Sequence, residues 1–119
     1  MPAMHAFDVL GDPVRRRILE LLADGQRSAG EITSIVQDEF GITQPAVSQH
    51  LRVLRESGFT SVQPVGARRL YAVDPVHLKE VDVWLEQFRR LWEESFERLD
   101  EVLSKMKKKE EKKHGRKDK

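Results

Sequence analysis

The sequence predicts a mainly α-helical fold that includes one small β-hairpin and a long C-terminal helix. Apolar residues recur at helical spacing through several segments that begin at capping residues and end at glycine. After Gly58 the spacing changes to the alternation that is typical of strands. From Asp74-Pro75 to about Lys109 a helical pattern continues without glycine or proline. Together these features favour an α+β fold whose last helix is unusually long.

The first two predicted helices lie in residues 5–10 and in the segment after Asp12-Pro13. The first is a short apolar stretch. At the second, the aspartate can cap the helix, and proline suits the first helical position because it needs no hydrogen-bond partner for its nitrogen. Gly25 follows the last apolar position and indicates the end of this helix.

A pair of short helices follows, separated by a tight connection. Ser28 and Thr43 each stand where a side-chain oxygen can cap a helix start, and a glycine follows the end of each helix. The predicted helices span residues 28–40 and 43–57 and are joined at Gly41-Ile42. This layout is a helix-turn-helix.

Residues 59–73 predict a β-hairpin, or wing, with a basic tip. Residues 59–64 and 69–73 have strand character, and the turn between them contains Gly66. Arg68 and Arg69 lie at or next to this turn. A hairpin that follows a helix-turn-helix predicts a winged helix-turn-helix.

The helix predicted from residue 75 to residue 109 would be roughly 50 Å long. Its apolar positions follow a near-heptad pattern with one stutter at Trp92, which is typical of helices that pair. The early part can cover the domain's own core, whereas the distal part extends beyond any core that the first 74 residues can build. We therefore expect the helix to pair with another chain through Leu85, Phe88, Trp92, Phe96 and Leu99.

The net charge of +1 conceals a strong segregation along the chain. Residues 75–104 hold 4 basic and 8 acidic side chains, whereas residues 105–119 hold 9 basic and 3 acidic ones. We expect a domain over residues 1–104 and a basic, disordered tail over 105–119. Two roles are open for the tail. It is a solvated segment that adds solubility, or it attracts phosphates without sequence preference.

The composition excludes several classes of protein. The absence of cysteine excludes disulfide scaffolds, cysteine-ligated metal sites and thiol nucleophiles. No apolar run is long enough to span a membrane, and the N-terminus lacks the layout of a signal peptide. We expect a cytoplasmic protein with no membrane partner.

The second helix of the helix-turn-helix has a polar face whose side chains can read the edges of bases. Gln44, Ser48 and Arg52 share one face, with Gln49 alongside. Gln can bond adenine, Arg can bond guanine, and Ser can bond several base edges. Thr43 and the free amides of the helix start can meet a phosphate. The expected partner is double-stranded DNA.

The stretch from Thr43 to Gly58 resembles the recognition-helix signature of the ArsR-type bacterial winged-helix repressors. Asp12-Pro13-Val14-Arg15-Arg16-Arg17-Ile18-Leu19 resembles their early helix, and Gly66-Ala67-Arg68-Arg69-Leu70-Tyr71 resembles their wing. The resemblance covers about residues 5–90. It implies a homodimeric transcriptional repressor that acts on a palindromic operator and can regulate its own operon.

The resemblance also implies roles for individual residues. Contacts with DNA would come from the recognition helix and the wing, and the first and last helices would form the dimer, which adds Phe7 to the interface. The implied DNA-binding residues are Thr43, Gln44, Ser48, Gln49, Arg52, Arg68 and Arg69.

Many ArsR-type repressors respond to metals, but this sequence is similar to the metal-independent branch. It has no cysteine pair before the recognition helix, and the predicted last helix holds a single histidine, His77. We expect no metal, no cofactor and no enzymatic activity, since the motifs of phosphate loops and nucleophile elbows are absent. The alternatives are a metal- or ligand-responsive repressor of the same family and a winged-helix module that binds proteins.

Overall fold

The computed structural model describes residues 2–117, with side chains described from 5 to 110. Six helices and three strands follow one another in this part of the chain. They are α1 (Pro2–Leu10), α2 (Pro13–Ala23), β1 (Arg27–Ser28), α3 (Ala29–Phe40), α4 (Gln44–Glu56), β2 (Thr60–Val65), β3 (Arg68–Val73), α5 (Val76–Glu86) and α6 (Arg89–Lys117).

The helix starts follow the capping residues that the sequence predicts. Asp12 Oδ1 accepts hydrogen bonds from the backbone N–H groups of Val14 at 2.8 Å and Arg15 at 3.1 Å. The Ser28 hydroxyl oxygen accepts the N–H of Glu31 at 3.2 Å. Each cap satisfies a donor that the first turn of a helix leaves unpaired, so the boundaries are determined locally.

Arginines at the start of α2 hold the end of α1. Arg15 donates from Nε to the carbonyl of Val9 at 2.7 Å and from Nη2 to that of Asp8 at 3.0 Å. Arg16 Nη1 donates to the carbonyl of Leu10 at 2.7 Å. The last carbonyls of a helix have no partner within it, and these guanidinium groups supply one. The two arginines therefore have a structural role.

The core of the first compact unit lies between α2, α3 and α4. Ile18, Ile32 and Leu54 are fully buried, and Phe59 at the start of the hairpin closes one side. The apolar positions at helical spacing in α2 and α4 face inward, as predicted. The buried apolar residues are Ala6, Val9, Val14, Ile18, Leu19, Leu21, Leu22, Ile32, Val36, Val47, Leu51, Leu54, Phe59 and Tyr71.

The wing belongs to a small antiparallel sheet in which β3 is central, with the order β1-β3-β2. Val62 of β2 and Arg27 of β1 both pair with Tyr71 of β3. Gly66 has φ +62° in the turn between β2 and β3, a conformation that glycine adopts without strain. The mainly helical fold with a hairpin is confirmed, whereas β1 was not predicted. A strand of two residues exists only through its pairing with β3.

The single helix predicted from residue 75 to residue 109 is wrong. The structure has α5 and α6 instead, with a turn at residues 87–88. There the N–H of Phe88 donates to the carbonyl of Leu85 at 2.9 Å, and the N–H of Leu91 donates to that of Phe88 at 3.0 Å. Hydrogen bonds that span three residues tighten the backbone and end the α-helical ladder.

The structure also differs from the predicted boundary at residue 104. The chain divides into two compact units, Met1–Trp84 and Leu85–Lys119. Residues 105–117 are helical and continue α6, although a disordered tail was expected. Lys and Glu are good helix formers, and no glycine interrupts the segment before Gly115. Residues 118 and 119 lie outside the described part of the chain.

The cap at Asp12 makes the stability of the first unit depend on acidity. Partial burial by itself raises the pKa of this carboxyl, but the hydrogen bond from Arg15, the nearby His50 and the hydrogen bond from Val14 outweigh it, so the pKa lies below the ordinary 3.8. The stabilisation from the ionised cap is complete above pH 3.8 and is lost as the pH falls through the lower folded-state value.

Asp12→Ala is therefore expected to lower the free energy of unfolding by about 1 kcal/mol at pH 7. Asp12→Asn keeps a capping oxygen and should cost less at neutral pH, but it should flatten the loss of stability below pH 4. Urea unfolding between pH 2.5 and 7 measures both effects. If the free energy of unfolding of wild type and Asp12→Asn depended on pH in the same way, this carboxyl would not contribute to the loss of stability in acid.

Candidate nucleic-acid interface

Helix α4 separates an apolar face from a polar one. Val47, Leu51 and Leu54 are buried in the core. The opposite face is exposed to solvent. Thr43 Oγ1 caps the start of α4 by accepting the N–H of Ala46 at 3.3 Å. The exposed polar residues on this helix include all four that the sequence predicts as base contacts, namely Gln44, Ser48, Gln49 and Arg52.

A groove of about 630 Å³ runs between α3, α4 and the wing. It brings together Gln44, Ser48 and Arg52 of α4 with Arg69 of β3. Gln49 lies outside the groove, on the neighbouring part of the exposed face. The residues that line the groove are Ala29, Gly30, Thr33, Ser34, Gln37, Gln44, Ser48, Leu51, Arg52, Arg55, Arg69 and Tyr71.

Arg52 is oriented by a carboxylate on its own helix. Its Nε donates to Glu56 Oε1 at 2.9 Å, one turn further along. This hydrogen bond raises the pKa of the Arg52 guanidinium and lowers the pKa of the Glu56 carboxyl. A guanidinium has five N–H donors, so the two terminal nitrogens keep donors for a base edge or a phosphate. Glu56 thus holds Arg52 without occupying its whole hydrogen-bonding edge.

The two arginines of the wing have different surroundings. Arg68 Nη2 forms an ion pair with Glu31 Oε1 at 3.0 Å, and Arg27 lies 3.7 Å from the other oxygen of the same carboxylate. Arg69 points to the groove and forms no salt bridge among the side chains described here. Both predicted arginines are exposed at the wing, and Arg68 is held by a carboxylate near the start of α3.

The sequence prediction of the site missed Arg55. This residue is exposed, lines the groove and lacks a salt bridge within the described part of the chain. The sequence contained the information needed to include Arg55, since residues 44, 48, 52 and 55 follow the spacing of one helix face. Tyr71 was also missed, because its place at the groove depends on the pairing of β3 with β1 and β2.

The predicted dimer residues are largely exposed or half-buried in this single chain. Phe7 is 37% exposed, and its ring meets that of Trp84 edge-on with centroids 5.0 Å apart. Phe96 and Leu99 of α6 are 60% and 50% exposed. Leu85, Phe88 and Trp92 are half-buried. Apolar side chains with this exposure are available for contact with another chain.

Within the described residues, no group of three or more His, Cys, Asp or Glu side chains is arranged to hold a metal ion. His77 Nδ1 lies 3.2 Å from Glu80 Oε2, and its ring packs against Phe59 at 5.7 Å between centroids. None of the described helices is both long and apolar enough to cross a membrane.

Comparison with known proteins identifies this arrangement. Residues 12–62, from the cap of α2 into β2, match the model of the bacterial regulatory protein family arsR. The HTH-type transcriptional regulator Rv2034 of Mycobacterium tuberculosis is 37% identical over 84 residues, which are 71% of this chain and 75% of the relative. The chain belongs to the ArsR family.

Two further similarities support the ArsR assignment. The transcriptional repressor SdpR of Bacillus subtilis is 31% identical over 84 residues, which cover 71% of this chain and 89% of the repressor. The crystal structure of the ArsR family transcriptional regulator RHA00566 superposes with a TM-score of 0.63 at 27% identity, over 77% of this chain and 91% of that structure. The predicted family and winged helix-turn-helix fold are confirmed: the chain is a DNA-binding transcriptional regulator and not an enzyme.

Proposed function

We propose that this ArsR-family chain acts in the cytoplasm as a homodimer and represses transcription by covering a palindromic operator. The two copies of α4 would enter successive major grooves, about 34 Å apart along the DNA. A two-fold symmetric protein reads a two-fold symmetric site, so each half-site would meet one copy of the groove. The regulated genes would include the chain's own operon.

The single observation that carries the proposal is the exposed face of α4. It presents Gln44, Ser48, Gln49 and Arg52 to solvent, while the other face of the same helix is buried. These four side chains have the donors and acceptors that distinguish base pairs in the major groove. Arg55 and Arg69 line the adjacent groove and would meet phosphates on either side of the bases.

The start of α4 and the wing would fix the position of the protein on the duplex. Thr43 is exposed beside the first amides of α4, where the helix dipole favours a phosphate. Arg69 and Arg68 extend the basic surface along β3. Such contacts position the recognition helix but do not read the sequence.

The homodimer would use α1 and the C-terminal helices. Phe7 and Trp84 form one exposed aromatic pair, and the row of Phe96 and Leu99 on α6 forms another apolar surface. Burial of both surfaces removes apolar area from water, which is the main favourable term in association. Dimerisation also doubles the number of base contacts, which compensates for a small and almost neutral reading domain.

The proposal is tested by a gel shift with the DNA upstream of the chain's own gene, in excess non-specific competitor, together with light scattering for the molar mass. We expect a dimer that protects a palindromic site and retards this fragment in preference to a scrambled sequence. Equal affinity for the upstream and scrambled fragments would overturn the specific-repressor function. A monomer on and off DNA would overturn the homodimer.

The ion pair between Arg68 and Glu31 is expected to limit DNA affinity. A phosphate contact by Arg68 requires the guanidinium to leave or share this carboxylate, which also repels DNA. Glu31→Gln should therefore tighten operator binding about 2- to 5-fold, the range expected for one exposed ion pair. The gain should disappear in an Arg68→Ala background, which by itself should weaken binding to all sequences and reduce the salt dependence.

Glu39→Gln is the matched control for this change. Glu39 also holds an arginine, Arg17 at 2.8 Å, but neither residue lines the groove. Fluorescence anisotropy titrations at several salt concentrations compare the variants. If Glu31→Gln and Glu39→Gln changed the affinity equally, the effect would come from net charge alone and not from release of Arg68.

A further inference from the structure

The C-terminal part of α6 carries a dense group of lysines, which we call the lysine segment, residues 105–109. Its four lysines are exposed, and none of them forms a salt bridge among the side chains that the structure describes. At 3.6 residues per turn they spread over more than half of the helix circumference. They are Lys105, Lys107, Lys108 and Lys109. These cations are available to an anionic partner.

The remainder of the chain has an excess of acidic side chains. Residues 1–104 contain 12 basic and 17 acidic side chains, whereas residues 105–119 contain 9 basic and 3 acidic ones. In the first unit, four arginines are each paired with a carboxylate, namely Arg17, Arg27, Arg52 and Arg68. A negative net charge slows the approach of a protein to a polyanion. The excess of positive charge that brings the chain to +1 thus lies beyond residue 104.

The composition of this end of the chain fits a polyanion and not an apolar groove or a membrane. Residues 107–119 contain no apolar side chain. A helix that docks in a protein groove or lies in a membrane interface needs an apolar face. Lysine contributes a point charge without the planar fork by which arginine recognises guanine. Lysines therefore neutralise phosphates but do not distinguish bases.

We propose that the lysine segment binds phosphates of duplex DNA without sequence preference, while α4 reads the bases. The inference deepens the proposed function and rests on it, since that function brings the chain to DNA. Each lysine that reaches a phosphate releases a counterion condensed on the duplex, so the contact strengthens as the salt concentration falls. In a homodimer the segment acts twice. It supplies affinity for any sequence and leaves the preference for the operator to α4.

Neutralising the lysine segment tests the proposal in the full chain. The variant combines Lys105→Gln, Lys107→Gln, Lys108→Gln and Lys109→Gln, and fluorescence anisotropy compares it with wild type on operator and scrambled duplexes at several salt concentrations. We expect the affinity for both duplexes to fall at least about 10-fold at 0.1 M salt, with a slope against log salt that is smaller by about 2, the effect of one lost phosphate contact in each subunit. The ratio of the two affinities should stay the same. Unchanged affinity and slope would overturn the proposal.

Two control variants separate phosphate contact from net charge. Arginine at the same four positions keeps the charge and should keep the affinity within about threefold, because arginine also binds phosphates. The second control adds four exposed substitutions on α6 to the four lysine substitutions, which restores the wild-type net charge. They are Glu93→Gln, Glu94→Gln, Glu97→Gln and Glu101→Gln. If this variant bound DNA as tightly as wild type, the effect would come from the overall charge and the proposal would be wrong.

Photo-crosslinking locates the contact independently of affinity. The sequence contains no cysteine, so each introduced thiol is unique and can carry a photoreactive azidophenacyl group. We expect attachment to DNA from Lys108→Cys and from Arg69→Cys, the positive control at the groove. Glu20→Cys is the negative control, because Glu20 is exposed on α2 and lies outside the groove. Equal attachment from residues 108 and 20 would contradict a contact by the lysine segment.

The outcomes separate this inference from the proposed function. Attachment from residue 69 but not from residue 108, with operator binding unaffected by neutralisation, would overturn the inference and leave the repressor intact. If neutralisation instead removed binding to vesicles of anionic phospholipid and left the DNA affinity unchanged, the segment would serve a lipid surface and the inference would be wrong. A wild-type chain that does not bind the upstream DNA would overturn both.

Discussion

Replacing Gln49 or Arg52 with alanine is expected to weaken specific operator binding by about 1–3 kcal/mol for each base contact that the substitution removes. In a homodimer each substitution acts in both half-sites, so the total effect reaches about 2–6 kcal/mol. Both side chains are exposed on α4 and neither contributes to the core. The effect should therefore appear in affinity and not in the free energy of unfolding.

The two substitutions should differ in what they do to sequence preference. Arg52 can present two terminal nitrogens to the O6 and N7 of guanine while Glu56 holds its Nε. Removing this side chain should relax the preference at one base pair of each half-site. Arg52→Lys should recover little of this preference, because an ammonium lacks the planar pair of donors. Titrations against operators with single base changes measure these preferences.

Arg17→Ala is the matched control for Arg52→Ala. It removes the same charge from a half-buried arginine that is also held by a carboxylate, Glu39, but that does not line the groove. We expect at most a small change in operator affinity from this control. If Gln49→Ala and Arg52→Ala both bound the operator as tightly as wild type, the exposed face of α4 would not be the reading surface.

Gly58→Ala is expected to destabilise the first unit by about 2 kcal/mol or more. Gly58 has φ +80°, which is strained for any residue with a Cβ. A Cβ there would also lie 2.8 Å from both Cδ2 and Nε2 of His77, so the imidazole would have to move. This ring packs against the fully buried Phe59, which limits the space for such a movement.

Gly30→Ala provides the contrasting control in thermal or urea unfolding. Gly30 lies inside α3, and a methyl group at this position would meet only Ser28 Oγ, at 4.0 Å, among the described side chains. Alanine should stabilise this helix by roughly 0.5–1 kcal/mol. A His77→Ala background should relieve part of the cost of Gly58→Ala, namely the part due to the clash. Equal stability of wild type and Gly58→Ala would show that the backbone at this position is not constrained.

Much of the first unit was predictable because its signals are local. Asp12, Ser28 and Thr43 each cap a helix within three residues of themselves. The apolar spacing of α4 then decides which side is buried, and the remaining side holds the predicted reading residues. Arg55 could have been included by the same spacing, so its omission was not a limit of the sequence.

Other features could not be read in this way because they depend on residues far apart in the chain. β1 is a strand only because Arg27 and Ser28 pair with β3, more than forty residues later. The turn at residues 87–88 contains neither glycine nor proline, the residues that most strongly indicate a turn in a sequence. The ion pair between Arg68 and Glu31 joins residues 37 positions apart, so the composition of the wing did not reveal that one arginine is held back.

Local sequence was thus sufficient for the helix-turn-helix, the polar face of α4 and the family, because caps, periodicity and motifs act over a few residues. Long-range contacts were needed to show which arginine of the wing is held by a carboxylate and that Arg69 lies at the groove beside Arg52. The physical reason is that side-chain pairing across elements depends on tertiary distances, which neighbours in sequence do not encode.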